Sequence, residues 1–344
     1  MANTINYKCP NCGGIIEFDS ATQSMKCPYC DSEFSVRDFD YKDDFLNWKT
    51  DEGYHLYHCD SCGAELISDD TAASMKCPYC DNPVIITDRL SGEYKPDLII
   101  PFKLDKNAAK TALSNHFKDK KLLPRVFSTD NHLDEIKGIY VPFWLFDTEV
   151  NASANYEMKN TSIWSDARLQ YTETMVYNAT RTGTLSFNNV PVDGSEKMDN
   201  TMMESLEPFD YSQLLPFKTA YLAGYMADKY DVNSNETVDR IRQRVCSSAC
   251  DYLDSTISGY DSIHRINQSA YLTNTKIKYA LLPVWILNTT WHGKRYIFAM
   301  NGQTGKFIGD LPIDNKLVWK YRLLYGLLYG GGIFILSYFL TNIL

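Results

Sequence analysis

Cys9-Pro-Asn-Cys12 and Cys27-Pro-Tyr-Cys30 are separated by fourteen residues, and the same frame recurs as Cys59-Asp-Ser-Cys62 and Cys77-Pro-Tyr-Cys80. The filler repeats as well, since Ser24–Asp31 and Ser74–Asp81 both read SMKCPYCD. Four thiolates at this spacing close a tetrahedron around one soft divalent ion, and zinc is the usual occupant. Each Cys-x-x-Cys is a tight turn whose backbone N–H groups approach the sulfurs. The residue after its second Cys must tolerate positive φ. Gly13 and Gly63 meet that need, and Asp31 and Asp81 are acceptable substitutes. The expectation is two tandem zinc ribbons, over 1–42 and 43–92, holding two structural zinc ions. Every ligand position is sulfur, which leaves no open position for water or substrate. A ribbon of about forty residues also lacks a core without its metal.

Two other uses of these cysteines are weaker. Disulfides need an oxidising compartment, and Met1–Tyr7 is short and polar, unlike a secretory leader. A rubredoxin-like iron site suits the same ligands, but a duplicated ribbon without an electron-transfer domain favours zinc.

The far end carries the second constraint. Leu323–Leu344 is a run of 22 residues without a charge. As a helix it is about 33 Å long, enough to cross a bilayer. Lys316, Lys320 and Arg322 precede it, with Trp319, Tyr321 and Tyr325 at its start, and no Lys or Arg follows. This placement predicts one transmembrane helix over 319–344, with the body on the cytoplasmic side of the cell membrane. Gly330-Gly331-Gly332 interrupts the run, and a buried core helix or hairpin is the competing reading. Gly326 and Gly330 have the spacing that lets two membrane helices approach, which would make a homo-oligomer.

Charge bears on partners. Residues 1–90 hold sixteen Asp or Glu against seven Lys or Arg, a difference of −9 that equals the net charge of the whole chain. Zinc with four thiolates adds about two negative charges per site. Nucleic-acid binding needs a basic face, because phosphate neutralisation supplies most of the affinity. The ribbons therefore argue against nucleic acid and permit a basic protein partner.

The intervening 93–318 reads as an α+β body. Pro96–Pro101 is its opening strand, and Asp105 caps a helix through Lys118 with Ala109, Leu113 and Phe117 on one face. Strand-like runs follow at Gly138–Asp147, Asn151–Met158, Arg168–Tyr177 and Gly183–Asn188. Helical segments are expected at Asp199–Leu206, Ala220–Lys229 and, most strongly, Glu236–Ile257. Ser234 or Asn235 caps the last, whose buried stripe is Val238, Ile241, Val245, Ala249, Leu253 and Ile257. Strands near Ile277–Asn288, His292–Asn301 and Lys306–Gly309 close the body. Ile139–Asp147 (IYVPFWLFD) and Ala280–Asn288 (ALLPVWILN) echo each other, with Pro and Trp at matching places. The echo points to two related units, 93–195 and 196–318, each a helix followed by a hairpin or small antiparallel sheet. A Pro inside each run places those strands at an edge or a bulge.

Catalytic patterns are few. Asn301-Gly302-Gln303-Thr304-Gly305-Lys306 lacks the first Gly and the final Ser or Thr of a phosphate-binding loop, and reads better as a hairpin turn. Cys246 and Cys250 stand one helical turn apart beside the apolar stripe, where core packing outweighs a metal or reactive role. The histidines form no ligand pattern. His58 adjoins Cys59, but four cysteines already complete that site.

The paired CPxC-type ribbons, with PDLIIPFKLDKNAAK, KGIYVPFWLFD, LAGYMADKYD, LLPVWILN and FAMNGQTGKFIGDLP, resemble a bacterial family of membrane-attached TFIIB-type zinc-ribbon proteins over most of the chain. Members are often given the name of the replication-restart helicase PriA because of the cysteines. This chain has no ATPase motif, so that chemistry is excluded. The resemblance implies a non-enzymatic membrane component associated with flotillin-like SPFH proteins and the phage-shock protein A envelope-stress system. Its metal residues carry over as Cys9, Cys12, Cys27, Cys30, Cys59, Cys62, Cys77 and Cys80, and no catalytic residue is implied. The expectation is a tail-anchored scaffold at the cytoplasmic membrane that docks proteins through its ribbons. The alternative is a membrane-associated nucleic-acid-linked protein of replication or transcription.

Overall fold

Three strands much longer than the sequence reading expects organise the chain. A computed structural model describes residues 4–39, 55–59, 65–68, 71–77, 82–90, 94–118, 120–128 and 135–343. The N-terminal part contributes β1 (Thr4–Ile5), β2 (Glu17–Asp19), β3 (Ser24–Lys26), β4 (Glu33–Phe34), β5 (His55–His58), β6 (Glu65–Ser68), β7 (Ala72–Lys76) and β8 (Pro83–Ile86). The body follows as β9 (Leu98–Ile99), α1 (Lys106–Lys118), β10 (Lys137–Ser165), β11 (Gln170–Asp193) and α2 (Asn200–Ser205). It continues through β12 (Leu215–Pro216), β13 (Met226–Asp228), α3 (Ser234–Ser255), β14 (Ser262–Trp291), β15 (Lys294–Asn301), β16 (Phe307–Gly309) and α4 (Asn315–Ile343).

Period-two patterning explains why β10 does not break. Val150, Ala152, Ala154, Tyr156 and Met158 are buried on one side, while Asn151, Ser153, Asn155 and Glu157 alternate on the other. Ala152 lies opposite Gly183 of β11 and Ala270 of β14, so small residues meet under α3. The helix lays Ile241, Val245, Ala249 and Leu253 onto that face, and Ile257, just past its end, joins them. It begins at a reciprocal cap between Asn233 and Glu236. Leu253 is 4% exposed, and its truncation to Ala would cost about 2–5 kcal/mol. The opposite face is a polar ladder. Thr184 Oγ1 donates to Asn151 Oδ1 at 2.6 Å, Thr180 Oγ1 to Asn155 Oδ1 at 2.7 Å, and Asn155 Nδ2 to Asn267 Oδ1 at 2.8 Å.

The main sheet holds eleven strands among the described residues, in the order β1-β8-β7-β13-β10-β14-β15-β16, with β11 on β10, and β9 joining β12 to β14. It is mixed. β13 runs parallel to β10 at Ile139 and Tyr140, and β9 runs parallel to β14 at Ala280 and Leu281. The two echoing segments are neighbours, with Ile139 opposite Val284 and Pro142 opposite Leu281. Each proline sits where its strand exchanges one outer neighbour for another. Before Pro142 the neighbour is β13, and from Phe143 it is β11. Before Pro283 it is β9, and from Val284 it is β15. The missing prolyl N–H thus falls at a hand-over between ladders. Even the closing bonds match, Gly194 N to Pro142 O and Gly302 N to Pro283 O, both at 2.9 Å.

The N-terminal region joins this sheet directly. Thr4 and Ile5 pair with Ile86 and Ile85, and Ser74 of β7 pairs with Ala227 of β13. Tyr7, Cys9, Ile16, Phe18, Met25 and Cys27 share one core cluster with Phe102, Leu113 and Tyr225. β2, β3 and β4 form a small separate sheet, and β5 and β6 a hairpin.

Several expectations need correction. The fold is predominantly β around one large mixed sheet, in place of an α+β body with small sheets. Polar Asn, Thr and Ser residues that resembled turns are the solvent side of continuous strands. Pro142 and Pro283 lie in central strands, not at an edge. Ala220–Lys229 forms a 3-10 turn (Thr219–Leu222) and then β13. Asn233 caps α3, and Thr237 takes the buried place assigned to Val238. β15 starts at Lys294, because His292 and Gly293 both have positive φ in a two-residue turn. The expected transmembrane helix over 319–344, and with it the tail anchor in the cytoplasmic membrane, is also overturned. Among the described residues no helix is long and apolar enough to cross a membrane. α4 brings in Lys316, Lys320 and Arg322, and Tyr325, Tyr329, Gly326 and Gly330–Gly332 dilute the described apolar stretch. The helix at Lys106–Lys118 and the short one after Asp199 form as expected, each with the aspartate accepting a backbone N–H.

Candidate metal centre

Two short turns build the N-terminal cysteine site. Cys9 N donates to Gly14 O at 2.6 Å and Gly13 N to Cys9 O at 2.8 Å. In the second turn Cys27 N donates to Ser32 O and Asp31 N to Cys27 O, both at 3.0 Å. Gly13 (φ 73°) and Asp31 (φ 56°) take the left-handed conformation that the turn demands after its second cysteine.

The four Sγ atoms of Cys9, Cys12, Cys27 and Cys30 lie within 4.8 Å of one another. Cys9 Sγ is 3.6 Å from Cys30 Sγ, and Cys12 Sγ is 3.5 Å from Cys27 Sγ. A tetrahedral site with metal–sulfur bonds of about 2.3 Å has edges of about 3.8 Å, so one ion fits. These separations are far beyond a disulfide bond, and the thiols are free. Hydrogen bonding with the Ser32 side chain and backbone pulls the Cys30 thiol down to about 6, which favours the ligating thiolate. At Cys12 a Gly14 backbone bond lowers the thiol, but the crowded sulfurs of Cys30, Cys27 and Cys9 outweigh it and raise it to about 12. Four sulfurs this close cannot all ionise without a cation between them. Cys9 and Cys27 are buried and Cys12 and Cys30 exposed, so the site is anchored on the core side and open on the other.

The second frame is described in part. Cys59 follows β5, Cys77 follows β7, and both are 1% exposed in a cluster with Tyr57, Val84 and Ile86. Cys77 N donates to Asn82 O at 2.9 Å, the counterpart of the Cys27–Ser32 bond. Cys62, Cys80, Gly63 and Asp81 lie outside the described residues.

The remaining candidates resolve into packing. Asn301–Lys306 is a turn between β15 and β16, as its sequence indicates. Asn301, fully buried, accepts from Gln303 N and Thr304 N and donates to Leu206 O and Pro208 O. Gln303 brackets Asp210, accepting from its N–H at 2.7 Å and donating to its carbonyl at 3.0 Å, and Lys306 Nζ donates to Glu207 O. The polar signature of this turn therefore clamps the 206–213 loop. Cys250 is buried in α3, and burial pushes both its thiol and that of Cys246 up. Sequence reasoning missed the buried Asp193, which Arg240 holds at 2.7 Å while also reaching Glu204 at 3.0 Å. Its signal was available, because Asp193-Gly194 stands where the echo has Asn301-Gly302.

Fold and site together define a protein in which a four-cysteine cluster able to hold one metal ion packs into the core of a large mixed β-sheet. The chain is 40% identical over 314 residues to YdjG, an uncharacterized protein of Bacillus subtilis (strain 168), covering 91% of this chain and 92% of the relative. It belongs to the same family as YdjG. No protein-family profile and no solved structure matches the chain.

Proposed function

We propose that the protein is a non-enzymatic docking adaptor whose cysteine frames are closed by zinc. One ion is held by Cys9, Cys12, Cys27 and Cys30, and a second by Cys59, Cys62, Cys77 and Cys80. The observation that carries the reading is the outer edge of β11. This strand of 24 residues pairs with β10 alone among the described residues. Long unpaired edges invite strand addition by a partner, with main-chain hydrogen bonds supplying the affinity. At the tip of the same arm Ile163, Trp164, Leu169 and Tyr171 are 40–60% exposed, and Trp164 stacks on Tyr171 at 5.8 Å. Apolar surface of this kind supports protein contact. The acidic N-terminal region favours a basic partner surface. Four-sulfur ligation leaves the metal no free position, which supports a structural role. Flotillin-like SPFH proteins and phage-shock protein A are the partners that the family resemblance brings forward.

Affinity purification of the full-length protein, with mass spectrometry and a nuclease-treated control, tests this reading. Nuclease-insensitive recovery of those proteins, lost in Cys59→Ser/Cys62→Ser, is expected. Recruitment that survives in the zinc-free variant would sink the docking role of the ribbons. Nuclease-sensitive recovery of replication or transcription proteins would replace the reading with a nucleic-acid role.

A further inference from the structure

Between β2, β7 and the start of β10 lies a cavity of about 670 Å³, a size that suits a small organic ligand. Its buried lining is aromatic and apolar, with Phe18, Tyr225 and Trp285 each less than 10% exposed and Met75 and Met226 beside them. Three cations reach the same space from separate elements: Lys76 from β7, Lys106 from the first turn of α1, and Lys137 from β10. Lys76 is engaged by Glu17 at 3.8 Å. Lys106 and Lys137 form no ion pair with a described residue. Glu135 is the other acidic group of the lining.

The internal echo shows a filled counterpart. Gly138 in the cavity wall holds the place that Tyr279 takes on β14, one residue after Lys137 and Lys278 respectively. Tyr279 is 3% exposed, with its ring 5.3 Å from that of Trp144. Gly138 itself contributes no side chain, and a Cβ there would stand 2.7 Å from the Tyr225 ring. In one half Tyr279 packs on Trp144 from the same strand ladder; in the other Tyr225 and Trp285 crowd the bare Gly138, and the cavity that they border is reached by Lys106 and Lys137.

We propose that this cavity binds a small organic anion, with its apolar body against Phe18, Tyr225 and Trp285 and its anionic head group on Lys106 and Lys137. The site goes beyond the docking role and does not depend on it. The aromatic lining supplies dispersion and apolar burial, and the two lysines supply orientation.

The test uses full-length, metal-loaded protein in equilibrium dialysis against two probes. One is 1-anilinonaphthalene-8-sulfonate, and the other is N-phenyl-1-naphthylamine, the same ring system without the sulfonate. The sulfonate is expected to bind about tenfold more tightly than the neutral amine, the worth of one hydrogen bond to a charged group. Lys106→Glu/Lys137→Glu is expected to remove that preference. The control Lys118→Glu/Lys121→Glu, at the exposed end of α1 and just beyond it, is expected to keep it. Met226→Trp, which fills the cavity, is expected to abolish high-affinity binding while the thermal transition remains cooperative. Equal affinity for the two probes, or a retained preference in folded Lys106→Glu/Lys137→Glu, overturns the proposal. If that variant does not fold, sulfonate binding retained by Met226→Trp overturns it.

Discussion

Trp144 and Trp285 hold the starts of each other's helices. Trp144 Nε1 donates to Val232 O at 2.9 Å, and Trp285 Nε1 donates to Leu104 O at 3.1 Å. Val232 directly precedes Asn233, the cap of α3, and Leu104 directly precedes Asp105, the cap of α1. The strand that follows α1 in sequence therefore fixes α3, and the strand that follows α3 fixes α1. β9 and β13 are exchanged in the same way, each pairing with the other unit's long strand.

This exchange makes the two halves interdependent. Trp144→Phe and Trp285→Phe should each lower stability by about 1 kcal/mol, the net worth of one hydrogen bond, read as a shift in urea midpoint. A fragment covering 94–195 should lack a cooperative transition, because its β9 has lost β14 and its β10 has lost β13. A cooperatively folding fragment would refute the exchange.

The cysteine frame, the cap at Asp105, the short helical segment at Asp199–Leu206 and most of the stripe of α3 were legible in the sequence because each is set by residues a few positions apart. The echo around Pro142 and Pro283 was legible as a repeat. Its consequence was not, since pairing between residues about 140 apart leaves no local trace. Strand length failed for a different reason. Thr148 and Thr180 fall in the breaks expected between strand-like runs, yet their side chains bond across strands, to Thr275 and Asn155, and stabilise the ladder. The uncharged tail misled because freedom from charge is not the same as apolarity along a helix containing Tyr325, Gly326, Tyr329 and Gly330–Gly332.

Removing metal should destabilise more than the knuckle. Cys9 and Cys27 are 2% and 0% exposed and pack in the same cluster as Ile99, Phe102, Leu113 and Tyr225. Cys27→Ser is expected to release one metal equivalent and to lower the melting temperature of the main transition. Calorimetry with metal analysis checks this. A main transition that stays in place after metal loss would show that the knuckle folds independently of the sheet.

Asn301 is the polar centre of the loop clamp. Its amide makes four hydrogen bonds without exposure to water, so Asn301→Ala strands several buried groups and should cost about 2–4 kcal/mol. Proteolysis should then appear first within 206–213, the segment whose carbonyls the amide holds. Cleavage elsewhere, with 206–213 intact, would separate Asn301 from that loop.

The Cys246 and Cys250 thiols are raised by burial, against β14 residues Arg265 and Gln268. The neutral thiol is a poor nucleophile, so both should alkylate with iodoacetamide at neutral pH more slowly than an unfolded cysteine peptide. Equal rates in the folded protein would indicate an activated pair instead of packing.

Two aspartates should give opposite pH dependences. Burial pushes the Asp147 carboxyl up, but Lys278 Nζ at 2.6 Å and Asn189 N more than reverse this, so its folded pKa lies below the ordinary value. Its contribution is present above the unfolded pKa and is lost as pH falls through the depressed folded one. Asp147→Asn should therefore destabilise by about 1 kcal/mol at neutral pH and converge with the parent protein in acid. At Asp193 burial also raises the carboxyl, and Arg240 only partly offsets it, so the folded pKa stays above the ordinary value. The folded state then binds the proton more tightly than the unfolded one, and stability falls as pH rises from the ordinary carboxylate value through the raised one. Asp193→Asn, which installs the residue of the equivalent position 301, should flatten that part of the curve. Urea titrations across the acidic range distinguish the two. A common slope for both variants would refute the opposite signs, because linkage allows the curve to bend only in the direction set by which state holds the proton more tightly.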